Sequence, residues 1–517
     1  MVMNTIVETS KGKLQGTQKD GLLVFRGIPF AQPPVGDLRF RVPLPTQAWD
    51  GVREATHAGP MAMQIPLEAL DALFGRPREP RQLDEDCLYL NIWTPGLDGA
   101  QRPVMVWIHG GGFTSGGGSE PVYSGSALAS RDVVVVTINY RLGALGFLYA
   151  PDLADESDST CANFGILDQI AALEWVRDEI AAFGGDPDNV TIFGESAGGM
   201  SVGTLMGSPM AAGLFQKAIL QSGAAHNALT VDEASVNAAL FAKALGVERL
   251  RADHLRTIPT TEIVEGQRKL EIASSQSMRG GEDLALRFQP VIDGRVLAKL
   301  PIDAIRDGSS KDVPVLIGTN ADEWKLFVGM WPRLANISEE ETVQRLGWLV
   351  AKHEDNKQGL ALLQAYRDIR AARGEAADAF EVFCAAQTDK MFRVPADRLA
   401  EAQATHQSKV FMYRFDWRSP IANGFFGACH ALELPFVFGT YRLAPQLTGE
   451  GPEADALAKT MGDAWAAFAR SGDPATDALP WPTFDAEHRR TMILGREFCV
   501  EKTPREAERR YWDGTIT

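Results

Sequence analysis

Val190-Thr191-Ile192-Phe193-Gly194-Glu195-Ser196-Ala197-Gly198-Gly199-Met200-Ser201 runs from a short β-forming segment straight into a turn of small residues built around one serine. A serine on a sharp strand-to-helix turn needs tiny neighbours on both sides, because the turn is strained and the flanking chains crowd it. Ser196 is therefore read as a nucleophile on an elbow between a strand and a helix. The Gly-x-Ser-x-Gly pattern is weak by itself in a chain with 49 glycines, where a plain glycine-rich turn is the alternative, so the neighbouring segments have to support it.

Upstream, Val104-Met105-Val106-Trp107-Ile108 reads as a buried strand and runs directly into His109-Gly110-Gly111-Gly112-Phe113. Such a loop presents bare backbone N–H groups. Acyl transfer needs donors aimed where negative charge develops on a carbonyl oxygen, each worth about 3–4 kcal/mol in the transition state. No Gly-Lys-Ser/Thr follows, so a phosphate cradle fits less well than an oxyanion loop.

Composition narrows the classes. The 51 Lys and Arg against 67 Asp and Glu leave a formal charge of −16, which repels nucleic acid and anionic membrane surfaces. Hydrophobic content of 45% with 23% charged residues matches a soluble globular chain with a substantial core. Nothing approaches the ~20 uninterrupted apolar residues of a membrane span, since Ala127 to Leu148 is broken by Arg131, Asp132, Asn139 and Arg141. Met1 to Gly16 lacks the apolar core of a secretory signal, so the expectation is a cytoplasmic protein, with a leader removed ahead of this numbering as the alternative. Cys87, Cys161, Cys384, Cys429 and Cys499 are scattered, odd in number and without a Cys-x-x-Cys pair, which suggests neither a disulfide framework nor a structural zinc site.

Short apolar runs alternate with helical stretches: Val104 to Ile108, Val133 to Tyr140, Val190 to Phe193, Lys217 to Gln221, Val313 to Gly318 and Val410 to Phe415. The alternation predicts an α/β protein with a large, mostly parallel sheet covered by helices on both faces. Ile166, Ile170, Leu173, Val176, Ile180 and Phe183 recur at helical steps and predict an amphipathic helix stopped at Gly184-Gly185. The first hundred residues, with Gly27 to Phe30, Pro33-Pro34 and Tyr89 to Trp93, predict a small antiparallel sheet joined to the main one. Residues about 231–305 and 338–407 are rich in Ala, Leu and charge, and are expected as helical insertions over the sheet's C-terminal edge, where open α/β sheets bind ligands.

A lone serine needs a histidine to take its proton and a carboxylate to orient that histidine, in the chain order Ser, acid, His. His254, His353, His406 and His488 sit among charged or polar residues and read as surface groups. His430 follows a strand in the small-residue loop Gly424 to Ala428 and precedes Leu434-Pro435-Phe436-Val437-Phe438, so it is the favoured base, with His226 in reserve. For the acid, Pro314 to Gly318 leads into Thr319-Asn320-Ala321-Asp322-Glu323, and spacing does not choose between the two carboxylates.

Gly184-Gly185-Asp186-Pro187-Asp188-Asn189-Val190 leading into the elbow, Glu85-Asp86-Cys87-Leu88-Tyr89-Leu90-Asn91, and Asn139-Tyr140-Arg141-Leu142-Gly143 together resemble the type-B carboxylesterase family, the cholinesterase-like branch of the α/β-hydrolases. The likeness is greatest to bacterial para-nitrobenzyl esterases. It runs from Gly27-Ile28-Pro29-Phe30-Ala31 to Trp481-Pro482, implying one α/β-hydrolase domain over 1–517. The resemblance implies Ser196 as nucleophile, Glu323 as acid and His430 as base, with Gly111, Gly112 and Ala197 supplying the oxyanion hole. It implies ion pairs Arg39 with Glu85 and Arg141 with Asp168. The sequence departs from the family at two points. Met63 stands where a cysteine partner for Cys87 would precede Gln64, so that disulfide is expected to be absent. Trp324 follows Glu323 where glycine is usual, which is expected to reshape the pocket or the loop.

The expected activity is hydrolysis of a small-molecule carboxylic ester through a Ser196 acyl-enzyme, with neither metal nor organic cofactor. Short to medium or aromatic acyl groups are favoured if Trp324, Phe327, Trp331, Phe425 and Phe426 line the pocket rather than the core. The alternatives are a noncatalytic interaction protein on the same fold, or an amidase, thioesterase or lipase using the same residues. The oligomeric state is left open.

Overall fold

A computed structural model of the 517-residue chain describes residues 4–66, 73–74, 82–154, 159–277, 286–351 and 355–514. His353 and part of the expected insertion 231–305 lie outside the described residues.

In chain order the strands are β1 (Ile6–Thr9), β2 (Gly12–Gln15), β3 (Thr17–Lys19), β4 (Leu22–Pro29), β5 (Val52–Glu54), β6 (Met61–Ala62), β7 (Leu83–Asp84), β8 (Tyr89–Thr94), β9 (Arg102–Ile108), β10 (Val134–Ile138), β11 (Gly185–Glu195), β12 (Lys217–Gln221), β13 (Val315–Asn320), β14 (Val410–Phe415), β15 (Thr491–Leu494) and β16 (Phe498–Glu501). Eleven of them form one sheet in the order β16-β15-β14-β13-β12-β11-β9-β10-β8-β4-β3. The pairs from β10 through β9, β11, β12, β13 and β14 to β15 are parallel, and both ends of the sheet turn antiparallel. Val104, Val106 and Ile108 of β9 join one buried apolar cluster, while Met105 and Trp107 join the other. That two-residue alternation across a sheet covered on both faces is why the strands read as continuous apolar runs.

The N-terminal β-formers divide among three sheets, one of them the two-stranded parallel pair of β6 and β7. β1, β2 and β5 make a separate small sheet, antiparallel between β1 and β2 and parallel between β2 and β5. β4 and β8, which carry Gly27 to Pro29 and Tyr89 to Trp93, extend the large sheet instead. Their apolar runs fit either location, and only the pairing partner distinguishes them.

The expected helix spans Phe164–Glu179, continues as a 3-10 turn over Ile180–Phe183, and ends at Gly184 with φ 78°. It is buried on part of its polar side as well. Asp168 takes a two-point contact from Arg141 at 2.6 and 2.8 Å, and Gln169 Nε2 donates to Ser201 Oγ at 3.1 Å. Asp168 and Gln169 thus satisfy buried partners rather than water, while Glu174, Arg177 and Asp178 keep an exposed polar strip further along the helix. Arg39 likewise meets Glu85 at 2.6 and 2.7 Å and donates to the Leu255 and Ile258 carbonyls, tying the N-terminal segment to the first helical insertion.

Helices Val231–Leu245, Ala252–Thr257, Thr260–Ser277 and Pro301–Arg306 occupy the first insertion, and Glu339–Ala351, Asn356–Ala372, Ala379–Thr388 and Val394–Ala404 the second. All five cysteines are free, Cys87 among them. Among the described residues, no helix is long and apolar enough to cross a membrane.

Candidate active site

Strand order brings the sequence-predicted residues to one edge. After β9 the chain goes to β10 on one side and returns to β11 on the other, so the crevice at their C-terminal ends is a switch point of the kind where α/β sheets bind ligands. The His109-Gly-Gly-Gly loop leaves β9 and Ser196 leaves the adjacent β11. Glu323 follows β13, and His430 follows β14.

Ser196 has φ 56° and ψ −125°, a backbone conformation that only a tightly packed turn sustains. The packing is visible in its glycines. A Cβ on Gly198 would stand 2.0 Å from the Ile108 carbonyl oxygen, and one on Gly194 would stand 2.5 Å from the Gly198 carbonyl carbon. The turn opens the buried helix Ala197–Gly207, whose N-terminus carries partial positive charge. Ser196 itself is half-buried, and its Oγ makes no hydrogen bond among the described residues.

The glycine loop lies against this elbow: a Cβ on Gly110 would come within 3.1 Å of Ser196 Cβ. Gly111 and Gly112 have φ 109° and 61°, which aims their amides in a way an L-residue rarely allows. The amides of Gly111, Gly112 and Ala197 donate to no acceptor among the described residues. Three unused donors beside a serine can hold a developing oxyanion.

His430 Nδ1 stands 2.7 Å from Glu323 Oε2, and the Asn320 backbone amide donates to the other Glu323 oxygen at 2.7 Å. Glu323 is completely buried. Asp322, its neighbour, points away from the imidazole. It accepts from the Ala428 amide at 2.9 Å and faces Lys325 at 3.4 Å, bracing the loop that carries His430.

Glu195 completes the surroundings of the imidazole, with Oε1 3.0 Å from His430 Nε2. Burial alone would lower the His430 pKa, but Glu195, Glu323 and Glu433 outweigh it and hold the imidazole above the ordinary histidine value. Burial pushes Glu195 well above the carboxylate range, an effect that His430 opposes. Glu433 is pushed up to about 6 by burial and by Glu323, against hydrogen bonds from Asn320 and Gln221. Neither Glu195 nor Glu433 was singled out from the sequence as a neighbour of the base. The signal for Glu195 lay inside the elbow motif, and for Glu433 in a lone carboxylate heading an apolar run three residues past His430.

The reserve histidine lacks an acid. His226 is half-buried, and burial with the nearby Arg398 and Lys390 cations lowers its pKa to about 4. Trp324 leaves the acid in place: its ring packs against Phe327 in the core at 4.9 Å, and its amide donates to Thr388 Oγ1 at 3.1 Å. Of the other aromatics considered as pocket lining, Phe327 is buried with its ring 5.0 Å from that of His430, while Trp331, Phe425 and Phe426 are half-buried. Cys429 is fully buried, and burial together with Glu323 and Asp322 raises its pKa, so the thiol is held protonated and unreactive.

Comparison with known proteins identifies the family. The sequence model of the carboxylesterase family matches residues 3–512. The chain is 41% identical to the para-nitrobenzyl esterase of Bacillus subtilis, covering 98% of this chain and 97% of that protein. It is 37% identical to the phenmedipham hydrolase of Pseudarthrobacter oxydans, over 96% of each. Among solved structures, a thermophilic PNB esterase superposes with TM-score 0.85 at 39% identity, covering 98% of this chain and 99% of that one. A carboxylesterase of Geobacillus stearothermophilus superposes with TM-score 0.84 at 40% identity, over 98% and 100% of the two chains. A full-length family match, high identity over nearly the whole chain and the same α/β-hydrolase architecture lead to one conclusion: the chain belongs to the carboxylesterase family and is a carboxylesterase.

Proposed function

We propose that the enzyme hydrolyses carboxylic esters through an acyl-enzyme on Ser196, with His430 as general base and Glu323 as its orienting acid. Ser196 Oγ attacks the ester carbonyl carbon while His430 Nε2 takes the hydroxyl proton. The carbonyl oxygen becomes an oxyanion held by the Gly111, Gly112 and Ala197 amides. The intermediate collapses, the bond to the alcohol oxygen breaks, and His430 returns its proton to that oxygen. Water then attacks the acyl-serine by the same route, releasing the acid and Ser196. Glu323 fixes the imidazole tautomer and stabilises the imidazolium. The single observation behind this reading is the 2.7 Å contact between Glu323 and His430, on loops that follow neighbouring strands two and three places along the sheet from the elbow. Ser196 Oγ makes no hydrogen bond among the described residues, so in this reading the serine–histidine hydrogen bond tightens in the substrate complex.

The whole chain acts as one unit in this reading, with segments 231–305 and 338–407 as its cover. Short to medium or aromatic esters are the proposed substrates. Buried rings beside His430 support that choice, as do relatives whose names refer to para-nitrobenzyl esters and to phenmedipham. Initial rates on para-nitrophenyl esters of increasing acyl length should peak at short to medium chains, with a matched anilide turned over far more slowly. An organophosphorus acylation mimic should label Ser196 alone by peptide mass spectrometry. A rate maximum at long chains would make the protein a lipase, and a label on another residue would remove Ser196.

The buried carboxylates also set the pH response. Only neutral imidazole accepts the serine proton, and the raised His430 pKa keeps it protonated past pH 6.5, so kcat/KM on an uncharged ester should climb on the alkaline side of that value. Glu195 and His430 compete for one proton as a buried pair, so replacing the ionisable carboxyl in Glu195→Gln should move the climb to lower pH by about 1 unit. An unmoved profile in this variant would mean that Glu195 has no hold on the catalytic proton.

A further inference from the structure

We infer that the π-turn Asp389–Arg393 is a positioning element of the active site, setting the Phe392 ring beside Phe327 as an apolar platform that fixes the tilt of the His430 imidazole. The inference rests on the reading of His430 as the general base.

The second insertion contains an irregular helix. It is α-helical over Ala379–Thr388, widens to a π-turn over Asp389–Arg393, and resumes as an α-helix over Val394–Ala404. Pro395 explains why the widening is there. In a regular helix its ring would collide with the carbonyl four residues earlier and its missing N–H would leave that carbonyl without a donor, and a π-turn relieves both. One extra residue in the turn rotates the upstream helix relative to the downstream one by about 100°, so side chains on the two sides face directions that a regular helix could not combine.

The turn is anchored by its own buried polar groups. Asp389 accepts from Tyr366 Oη at 2.6 Å and from Arg393 Nε at 2.7 Å, and Tyr366 Oη in turn accepts from Trp512 Nε1 at 2.7 Å. Lys390 Nζ donates to the Leu349 carbonyl, and Thr388 Oγ1 takes the amide of Trp324, the residue after Glu323. All five residues of the turn are buried. One of its ends is therefore tied directly to the loop of the triad acid.

Phe392 is the residue that this turn delivers to the site. Its ring centroid lies 4.8 Å from that of His430, and Phe327 lies 5.0 Å away, tilted to the imidazole by 38° and 41°. The two phenyl rings are parallel within 5° and 6.1 Å apart. These three distances form a compact triangle, so both phenyl rings back the imidazole from one side. Of the two ring nitrogens, Nδ1 is hydrogen-bonded to Glu323, while Nε2 lies 3.0 Å from Glu195 Oε1 without forming a hydrogen bond, and Glu433 is close by. The Glu323 hydrogen bond holds Nδ1 but leaves the ring free to tilt about it, and the phenyl platform supplies the missing constraint. Aromatic rings beside an imidazolium also favour the charged form.

The test compares Phe392→Leu and Tyr366→Phe with wild type in kcat, KM and the pH profile of kcat/KM, with His430→Ala and Ser196→Ala as references. Phe392→Leu keeps apolar volume but loses the flat ring. Its kcat should fall about tenfold with KM within about twofold, since small misplacement of a catalytic group costs rate rather than binding. The rise of kcat/KM should shift about half a pH unit lower as the imidazolium loses its aromatic neighbour. Tyr366→Phe removes only the hydroxyl that anchors Asp389, and should give the same pattern with about a threefold loss of kcat. This second variant keeps the test decisive if Phe392→Leu does not fold. Wild-type kcat and pH profile in folded Phe392→Leu, or in Tyr366→Phe, would overturn the positioning role, as would a raised KM with unchanged kcat. Retained activity in His430→Ala would instead overturn the base assignment itself, which separates the two failures.

Discussion

Ser196→Ala should lower kcat on a para-nitrophenyl ester by about 10⁶ and leave the folded protein otherwise intact. The hydroxyl forms no hydrogen bond among the described residues, so its removal leaves no buried group unsatisfied. Alanine also inherits the small-residue packing that holds the elbow, because Cβ is common to both side chains. The loss should therefore fall on the chemical step, with thermal unfolding within a few degrees of wild type. What survives is the contribution of the oxyanion donors and of binding, roughly 10³–10⁴ over the uncatalysed reaction. Substantial turnover in this variant would mean that another residue forms the acyl-enzyme, and would leave the glycine loop without a role.

Glu323→Gln should cost about 10⁴ in kcat. The amide is nearly isosteric, but it can present an N–H to His430 Nδ1 and stabilise the tautomer whose Nε2 carries the proton. That imidazole cannot accept the serine's proton. Loss of one of the carboxylates that raise the His430 pKa should also move the climb of kcat/KM to lower pH, the same direction as for Glu195→Gln but with a far larger loss of rate. Asp322→Asn is the informative contrast. Asp322 accepts from the Ala428 amide and does not touch the imidazole, so an amide oxygen can keep that contact. Its kcat should stay within about tenfold of wild type. Equal losses in the two variants would mean that the carboxylates act only by holding the loop in place.

Much of this site was readable from local sequence. Ser196 was legible because the conformation of an elbow demands small residues within a few positions of it, and the glycine loop because bare amides after a buried strand leave the same short-range trace. The buried strands at the centre of the sheet were legible for a similar reason, since a sheet covered on both faces writes unbroken apolar runs. The choice between Asp322 and Glu323 was not visible in this way. Adjacent residues at a strand's end differ only in which way their side chains leave the turn, and family resemblance, rather than spacing, named Glu323. Membership of β4 and β8 in the large sheet was hidden for a related reason, because an apolar run records that a strand is buried but not against which partner.

Other features exist only in the folded chain. Glu195 near Nε2 and Phe392 against the imidazole come from segments far from His430 in sequence, as does the Glu323–His430 contact across 107 residues. Backbone preferences act over a handful of residues and specify the strand, the turn and the glycine loop from within. The environment of His430 depends on strand order and on helices packed over the sheet's edge, so which carboxylates and rings surround the imidazole, and hence its proton affinity and tilt, is settled only when those long-range contacts form.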